Sequence, residues 1–294
     1  MTIPCKSVEV RLDNILFATD FSRSAETAKL YVKAFAERYG SVVRLMHVVD
    51  LGAAFKAPDA GISIEVFRRF GEESLKSLRG ELAAKNIRTE AILCEGTDPG
   101  NEILLASQDR SVDLLVIGTR AHKGLARLVL GSTAQLLIHQ AVCPVLTIGP
   151  EARPPEKPLI FRKIVYATDF STEAAKGAAI ALALAKSFGA QIYFCHVIPA
   201  SDGTKHTDGQ ELNDRFTQAL QQLIPEPDRE RCEPECLLEH GYAADGILLL
   251  AHRVAADLIV LGTRRTSHWF DNFKAGVAFQ VIGSACCPVL TIRG

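Results

Sequence analysis

Short apolar runs alternate along the first half of the chain with longer segments of helical periodicity. The runs from Asn14 to Thr19 and from Val42 to Val49 are apolar enough to be buried strands. Between them, Ser22 to Tyr39 repeats apolar residues at helical spacing, and Gly40 follows. Serine suits a helix N-cap and glycine suits the residue after a helix, so the pattern predicts a helix that Ser22 caps and Gly40 ends.

The same alternation continues through the rest of the first half. In chain order, the pattern predicts a helix over 62–85, a strand over 88–94, a helix over 99–110, a strand over 114–117, a helix over 132–139 and a strand over 145–148. Strands that alternate with helices pair in parallel, and near-continuous apolar strands are typical of a sheet covered on both faces. We therefore predict an α/β fold with an open, doubly wound, five-stranded parallel sheet.

The second half repeats the first. The matching segments, each pair given in chain order, are ILFATDFS and IVYATDFS (15–22 and 164–171), DLLVIGTR and DLIVLGTR (113–120 and 257–264), and CPVLTI twice (143–148 and 287–292). The offset falls from 149 residues at the first pair (164 less 15) to 144 at the last (287 less 143). A repeat of this length indicates a duplicated domain rather than a solenoid unit.

The repeat predicts two domains and a short connection. We assign residues 1–149 to the first domain, 150–158 to a linker and 159–294 to the second domain. Four prolines lie between positions 149 and 158, and such a composition predicts a stiff, extended connection.

Composition narrows the function classes. The net charge of −1, with no long run of one sign, argues against a dedicated nucleic-acid binder. No stretch of about 18 uncharged apolar residues is present, so we expect no membrane partner. Eight cysteines without an apolar leader at the N-terminus favour reduced thiols over a disulfide framework. We therefore expect a cytoplasmic protein.

A ligand site is predicted where the strands of the first copy end, because open parallel sheets bind ligands beyond the carboxyl ends of their strands. Ala18-Thr19-Asp20, Val48-Val49 and Gly118 follow or end such strands. Gly131-Ser132-Thr133 opens a helix, whose N–H groups and positive dipole end suit a phosphate. Arg120 adds positive charge in the loop between them.

These segments resemble the universal stress protein family over essentially the full length of both halves. The ATP-binding branch of that family carries Gly-x2-Gly-x9-Gly-Ser/Thr after its fourth strand. Here the spacing is intact, with Gly118, Ala121 in place of the second glycine, and Gly131-Ser132. The family's strand-one signature is similar to ATDFS.

The resemblance implies a role for each matching residue. Ala18, Thr19 and Asp20 would lie near adenine or ribose, and the backbone of Val48 would face the base. Ile117 and Gly118 would line the other side of the base. Gly131, Ser132 and Thr133 would hold the phosphates, with the charge of Arg120 nearby and Ala121 at the second glycine position of the motif. If position 121 needs positive φ, the Cβ of Ala121 costs about 1 kcal/mol and weakens binding.

The second copy departs further from this motif. Ala121, Gly131 and Ser132 align with Arg265, Ala275 and Gly276, whereas the strand-one aspartate is kept as Asp169. We expect the bulky side chains of its loop to fill the pocket mouth or to form a contact surface; these are His268, Trp269, Phe270 and Phe273.

Several of these residues also have a purely structural interpretation. Asp20 and Asp169 could cap a helix, and Gly131-Ser132 could be an ordinary helix start. His47 and His196, at equivalent strand positions, are better interpreted as packed histidines than as catalytic ones. The spacing of Cys232, Cys236 and His240 hints at a metal, but no fourth ligand is evident, so we assign no metal site.

Two functions follow. In the first, the chain is a stress-response protein that binds ATP or a related adenine nucleotide, with or without Mg²⁺ on its phosphates, as a regulatory or structural ligand. In the second, both pockets are vestigial and the chain is an interaction module. No nucleophile, base and orienting group stand together, so we expect at most slow ATP hydrolysis, as in some relatives. The family also implies pairing through the last strands, which predicts an intrachain pseudo-dimer or a dimer of tandem chains.

Overall fold

A computed structural model of the chain describes residues 10–52, 64–109, 111–119, 130–199, 208–263 and 276–293. The chain divides into two compact units, one spanning Arg11–Leu159 and one that takes in the chain from Ile160 onward. No helix within these described ranges is long and apolar enough to cross a membrane.

The first unit is a five-stranded parallel sheet with helices between its strands. Its strands are β1 (Asn14–Ala18), β2 (Val42–Asp50), β3 (Thr89–Gly96), β4 (Leu114–Gly118) and β5 (Val145–Ile148). Its helices are α1 (Arg23–Tyr39), α2 (Ile64–Ala83), α3 (Pro99–Ser107) and α4 (Ser132–Gln140). The strand order is β3-β2-β1-β4-β5, so the order reverses between β1 and β4.

The second unit repeats this order. Its strands are β6 (Lys163–Ala167), β7 (Gln191–Ile198), β8 (Glu235–His240), β9 (Leu258–Thr263) and β10 (Val289–Arg293), in the order β8-β7-β6-β9-β10. Its helices are α5 (Thr172–Phe188), α6 (Asp208–Gln222), α7 (Glu226–Cys232), α8 (Ala243–Val254) and α9 (Val277–Ser284). The prediction of two repeated, five-stranded parallel α/β domains is confirmed. Their packing as a pseudo-dimer stays a prediction.

Burial explains why the central strands have continuous apolar sequences. Ile15, Leu16 and Phe17 of β1 are at most 1% exposed, because helices cover both faces of the sheet. The edge strand β3 is buried at none of its positions. Its sequence therefore carries more polar residues than the strands at the centre of the sheet.

Helix α1 begins and ends where the sequence predicts, but the predicted side-chain cap at its start is absent. Gly40 has φ +70° and donates its N–H to the carbonyl of Ala36, which ends the helix as expected. Ser22 lies at the N-cap with extended backbone, but its side chain caps no helical N–H. The predicted capping role of its hydroxyl is wrong, because this hydroxyl pairs with that of Ser24 at 3.0 Å.

The segment 150–158 contains no helix or strand and is tied to the first unit. The Tyr31 hydroxyl of α1 donates to the backbone carbonyl of Arg153 over 2.8 Å. The N–H of Ala152 bonds to the carbonyl of Gly149 and closes a turn at the start of the segment. Its predicted stiffness stays a prediction.

Candidate nucleotide site

The carboxyl ends of three neighbouring strands form one crest of the first unit. Ala18 is paired with Met46 on β2 and with Ile117 on β4, and Gly118 is the last residue of β4. Val48 lies two residues beyond Met46 on the same strand. The structure therefore brings Ala18, Ile117, Gly118 and Val48 to the same edge of the sheet, at the point where the strand order reverses. Ligands of open α/β sheets bind at such reversals.

The connection from β1 to α1 is a tight turn that side chains hold from within. The hydroxyl of Thr19 accepts the N–H of Phe21 at 3.0 Å, and Oδ1 of Asp20 accepts the N–H of Ser22 at 2.9 Å. Asp20 itself is exposed at the crest. The hydrogen bond from Ser22 to Asp20 supports a structural role for Asp20. It stabilises the turn before α1, however, and does not cap an N–H of the helix.

The β1–β2 ladder ends in an unusual way at this crest. The N–H of Thr19 donates to the carbonyl of Met46 at 2.9 Å, which continues the parallel pairing. Regular pairing would next join the N–H of Val48 to the carbonyl of Thr19. Instead, Nδ1 of His47 lies 2.8 Å from that carbonyl. Among the described residues no bond joins Val48 to Thr19, so the Val48 N–H faces the space beyond the end of β1.

The two matching glycines of the motif have different surroundings. A Cβ at Gly118 would lie 2.7 Å from the carbonyl oxygen of Ser24 and 2.9 Å from the nitrogen of Ala25. Gly118 therefore lets the start of α1 pack directly against β4. A Cβ at Gly131 would meet no heavy atom of the described structure within 4 Å. Packing against the described residues therefore does not require glycine at 131, and none of these residues fills the space beside it.

The start of α4 has the features of an anion site. Gly131 is its N-cap, with φ −60° and ψ 151°, and no acidic residue lies in the first turn. The leading N–H groups of a helix lack partners within the helix, and the helix dipole places partial positive charge there. Ser132 and Thr133 add hydroxyl donors at this end. Gly100, at the start of α3, allows α4 to pack closely, since its Cβ would lie 2.9 Å from Cδ2 of Leu136.

The family assignment rests on a match that occurs twice. The family model for the universal stress protein family matches residues 11–149 and again residues 160–293. The chain belongs to the universal stress protein family. Each half is one universal stress domain, and the family predicted from the sequence is confirmed.

Some similar proteins match about half of the chain, whereas one solved structure matches nearly all of it. The universal stress protein MJ0531 of Methanocaldococcus jannaschii is 30% identical over 137 residues, which cover 46% of this chain and 80% of that protein. A universal stress protein from Archaeoglobus fulgidus has a TM-score of 0.72 at 21% identity, over 97% of this chain and 99% of that one. A further structure, of a universal stress protein in complex with cAMP, has a TM-score of 0.36 at 17% identity over 46% of this chain and 98% of its own.

The second universal stress domain keeps the turn and loses the hydroxyls. Thr168 and Asp169 bond to the N–H groups of Phe170 and Ser171 at 2.9 and 3.0 Å, as their counterparts do in the first domain. At the phosphate end, however, Gly276 is the N-cap of α9, and the helix begins with Val277. Counted from the two N-cap glycines, Val277 and Ala278 therefore stand where the first domain has Ser132 and Thr133.

Some predicted residues lie outside the described ranges. These are Arg120 and Ala121 of the first domain and, in the second, His268, Trp269, Phe270 and Phe273. Their predicted roles stay predictions.

Buried cysteines behave as small apolar residues. Burial raises the pKa of the Cys143 thiol to about 11 and that of Cys195 to about 12, so both remain protonated at neutral pH. Cys236 and His240 lie at different ends of β8, and within the described ranges no three His, Cys, Asp or Glu side chains group into a metal site.

Proposed function

We propose that this chain is a stress-response protein that binds ATP, or a related adenine nucleotide, in its first universal stress domain as a regulatory or structural ligand. The observation that carries the proposal is the start of α4. No described residue fills the space beside Gly131, the first turn of the helix has no carboxylate, and the helix presents the hydroxyls of Ser132 and Thr133. Such a helix start favours a phosphate.

The hydrogen-bond pattern at the end of the β1–β2 pair supports the nucleoside end of the proposed site. A buried backbone N–H without a partner is costly, and a hydrogen-bond acceptor of the base would satisfy it. Val48 is 9% exposed, and its N–H faces past β1 because His47 occupies the Thr19 carbonyl. We propose that adenine lies between Val48 and the neighbouring ends of β1 and β4. Mg²⁺, when present, would be held mainly by the phosphates, since it binds few protein ligands when phosphates are available.

We further propose that the second domain does not hold the phosphates and serves as a structural or contact domain. Its support is the loss of both hydroxyls, with Val277 41% exposed at the first helical position, where the first domain has Ser132. An interaction module with two vestigial pockets remains the second candidate, and the same observation in the second domain favours it. In either case we expect action in the cytoplasm, since no disulfide joins any two of the seven cysteines of the described ranges.

The test compares two matched glycines. Both Gly131 and Gly276 are helix N-caps with extended backbone, and a Cβ at either meets no heavy atom of the described structure within 4 Å. Valine should therefore be tolerated equally at both positions. We expect Gly131→Val to weaken ATP binding at least tenfold in calorimetry and to remove any nucleotide that co-purifies. Gly276→Val should leave both unchanged. Wild-type protein that binds no ATP, or equal affinity in wild type and Gly131→Val, would contradict the proposal.

A further inference from the structure

Both domains hold a phenylalanine in a strained conformation at the same place. Phe21 has φ +57° and Phe170 has φ +59°, within the ATDFS segments that the two copies share. A bulky residue in the left-handed region costs about 1 kcal/mol and persists only where its surroundings hold it. Side chains within the turn supply some of the contacts that hold it. From outside the turn, the ring of Phe70 packs edge-on against Phe21 with centroids 5.9 Å apart, and the ring of Phe216 stacks on Phe170 at 5.7 Å. One further side chain from outside contacts a backbone carbonyl of the turn.

That outside contact is a histidine of the neighbouring strand. Nδ1 of His47 lies 2.8 Å from the Thr19 carbonyl, and Nδ1 of His196 lies 2.8 Å from the Thr168 carbonyl. A carbonyl only accepts hydrogen bonds, so Nδ1 carries the proton in both domains. The His47 ring also packs against Phe21, with ring centroids 4.9 Å apart. The histidine thus contacts both the carbonyl and the strained side chain.

The two domains cover this histidine differently. In the first, α2 approaches at Gly71, where a Cβ would lie 2.8 Å from Cδ2 of His47. In the second, the ring of Phe216 on α6 covers His196, with centroids 4.6 Å apart. The residue that covers the histidine differs between the copies. The hydrogen bond has the same length in both, and the histidine ring packs against the strained phenylalanine in both, at 4.9 Å in the first domain and 4.6 Å in the second.

The bond has two consequences for the crest. A trans peptide directs its N–H opposite to its carbonyl, so the Thr19 carbonyl on His47 directs the Asp20 N–H away from β2. In addition, the imidazole replaces the Val48 N–H as the donor to that carbonyl, which leaves the Val48 N–H directed at the proposed base position. The position of Asp20 and the availability of Val48 therefore both depend on one imidazole nitrogen.

We propose that His47 is a positioning residue of the nucleotide site, which acts by holding the Thr19 carbonyl rather than by touching the ligand. This inference rests on the proposed function of the first domain. In the second domain, His196 holds the same turn beside a helix start without hydroxyls. The second domain therefore provides the control for the purely structural part of the effect.

The test uses side-chain amides of different reach. Asparagine places its amide nitrogen near the position of Nδ1, whereas glutamine places it near Nε2, so only His47→Asn keeps a donor for Thr19. In the full-length chain we expect His47→Gln to weaken ATP binding about tenfold, His47→Asn to stay within threefold of wild type, and His196→Gln to leave ATP affinity unchanged. Amide exchange at residues 21–22 should accelerate in His47→Gln, and exchange at 170–171 should accelerate in His196→Gln.

The outcomes separate the inference from the proposed function. If the wild-type chain binds no ATP, the proposed function fails and the inference fails with it. If wild type binds ATP and His47→Gln binds equally well, or if His196→Gln weakens binding as much as His47→Gln does, the positioning role alone is wrong. Unchanged exchange at residues 21–22 in His47→Gln would likewise overturn it, because the turn would not depend on the histidine.

Discussion

Single alanine substitutions at Gly118 and Gly131 should show that the two glycines of the motif have different roles. Gly118 is required for packing, and Gly131 is not. At Gly118 the new methyl would lie 2.7 Å from the carbonyl oxygen, and 2.8 Å from the carbonyl carbon, of Ser24. These are backbone atoms at the start of α1, so the helix must move. Overpacking of this kind costs about 1–3 kcal/mol. For a domain of this size each kcal/mol lowers Tm by roughly 2–4 °C, so we expect a decrease between about 2 and 12 °C.

At Gly131 the methyl would meet no heavy atom of the described structure within 4 Å, and two small effects on stability oppose each other. Alanine is a poorer N-cap than glycine by about 0.5 kcal/mol. Removing a glycine also lowers the entropy of the unfolded chain, which stabilises the fold by about 0.4–1 kcal/mol. The net change in the free energy of unfolding should stay below about 0.5 kcal/mol.

The assay is thermal and urea unfolding of the full-length chain without nucleotide, followed through the transition of the first domain. Hydrogen exchange of β1 and β4 assigns that transition, because two-domain chains can unfold in two steps. A Gly118→Ala variant as stable as wild type would refute the packing role of Gly118 against α1. A Gly131→Ala variant that loses more stability than Gly118→Ala would refute the claim that position 131 is open.

Two further predictions concern the phosphate end and the acid stability of the first domain. The double substitution Ser132→Ala and Thr133→Val removes both hydroxyls from the first domain, as in the second, and should weaken ATP binding at least tenfold, because hydrogen bonds to charged groups contribute about 1.5–3 kcal/mol. Titration calorimetry measures the affinity. An unchanged affinity would exclude the hydroxyls as phosphate ligands. The Ser111 N–H and the Arg44 guanidinium lower the pKa of Asp109 from 3.8 to about 2. A lowered pKa means that Asp109 stabilises the fold above its unfolded pKa and that this stabilisation is lost as pH falls toward 2. Asp109→Asn should therefore flatten the decline in urea stability between about pH 4 and 2, and an acid limb as steep as that of wild type would contradict the assignment.

The fold was largely predictable, because it depends on patterns that are local or repeated. Alternating apolar runs and the returning ATDFS and CPVLTI segments predicted two parallel α/β domains. Gly40 was identified as the end of α1 because a glycine there has one well-known use. The change at the phosphate end of the second domain was also predictable, since the loss of Ser132 is visible in the alignment of the two copies.

Contacts between residues distant in sequence were not predictable. The need for glycine at 118 comes from Ser24, 94 positions earlier (118 less 24), and only the packing of α1 on β4 reveals it. The role of His47 depends on the register between β1 and β2, which places its ring beside the Thr19 carbonyl. Ser22 is the N-cap residue as predicted, but its hydroxyl caps no helical N–H because it pairs with the hydroxyl of Ser24, two residues on.

The two domains therefore share a scaffold and differ at one end of it. Both keep the strained turn and the histidine that holds it. Only the first combines them with an open, hydroxyl-bearing helix start. This asymmetry is the central claim about function.

The stoichiometry of ATP binding to the full-length chain tests this claim most directly. Calorimetric titration of nucleotide-free protein should give about one ATP per chain, which Gly131→Val abolishes and Gly276→Val leaves intact. A stoichiometry near two, or a single site that Gly276→Val removes and Gly131→Val preserves, would contradict the claim that the first domain alone holds the nucleotide.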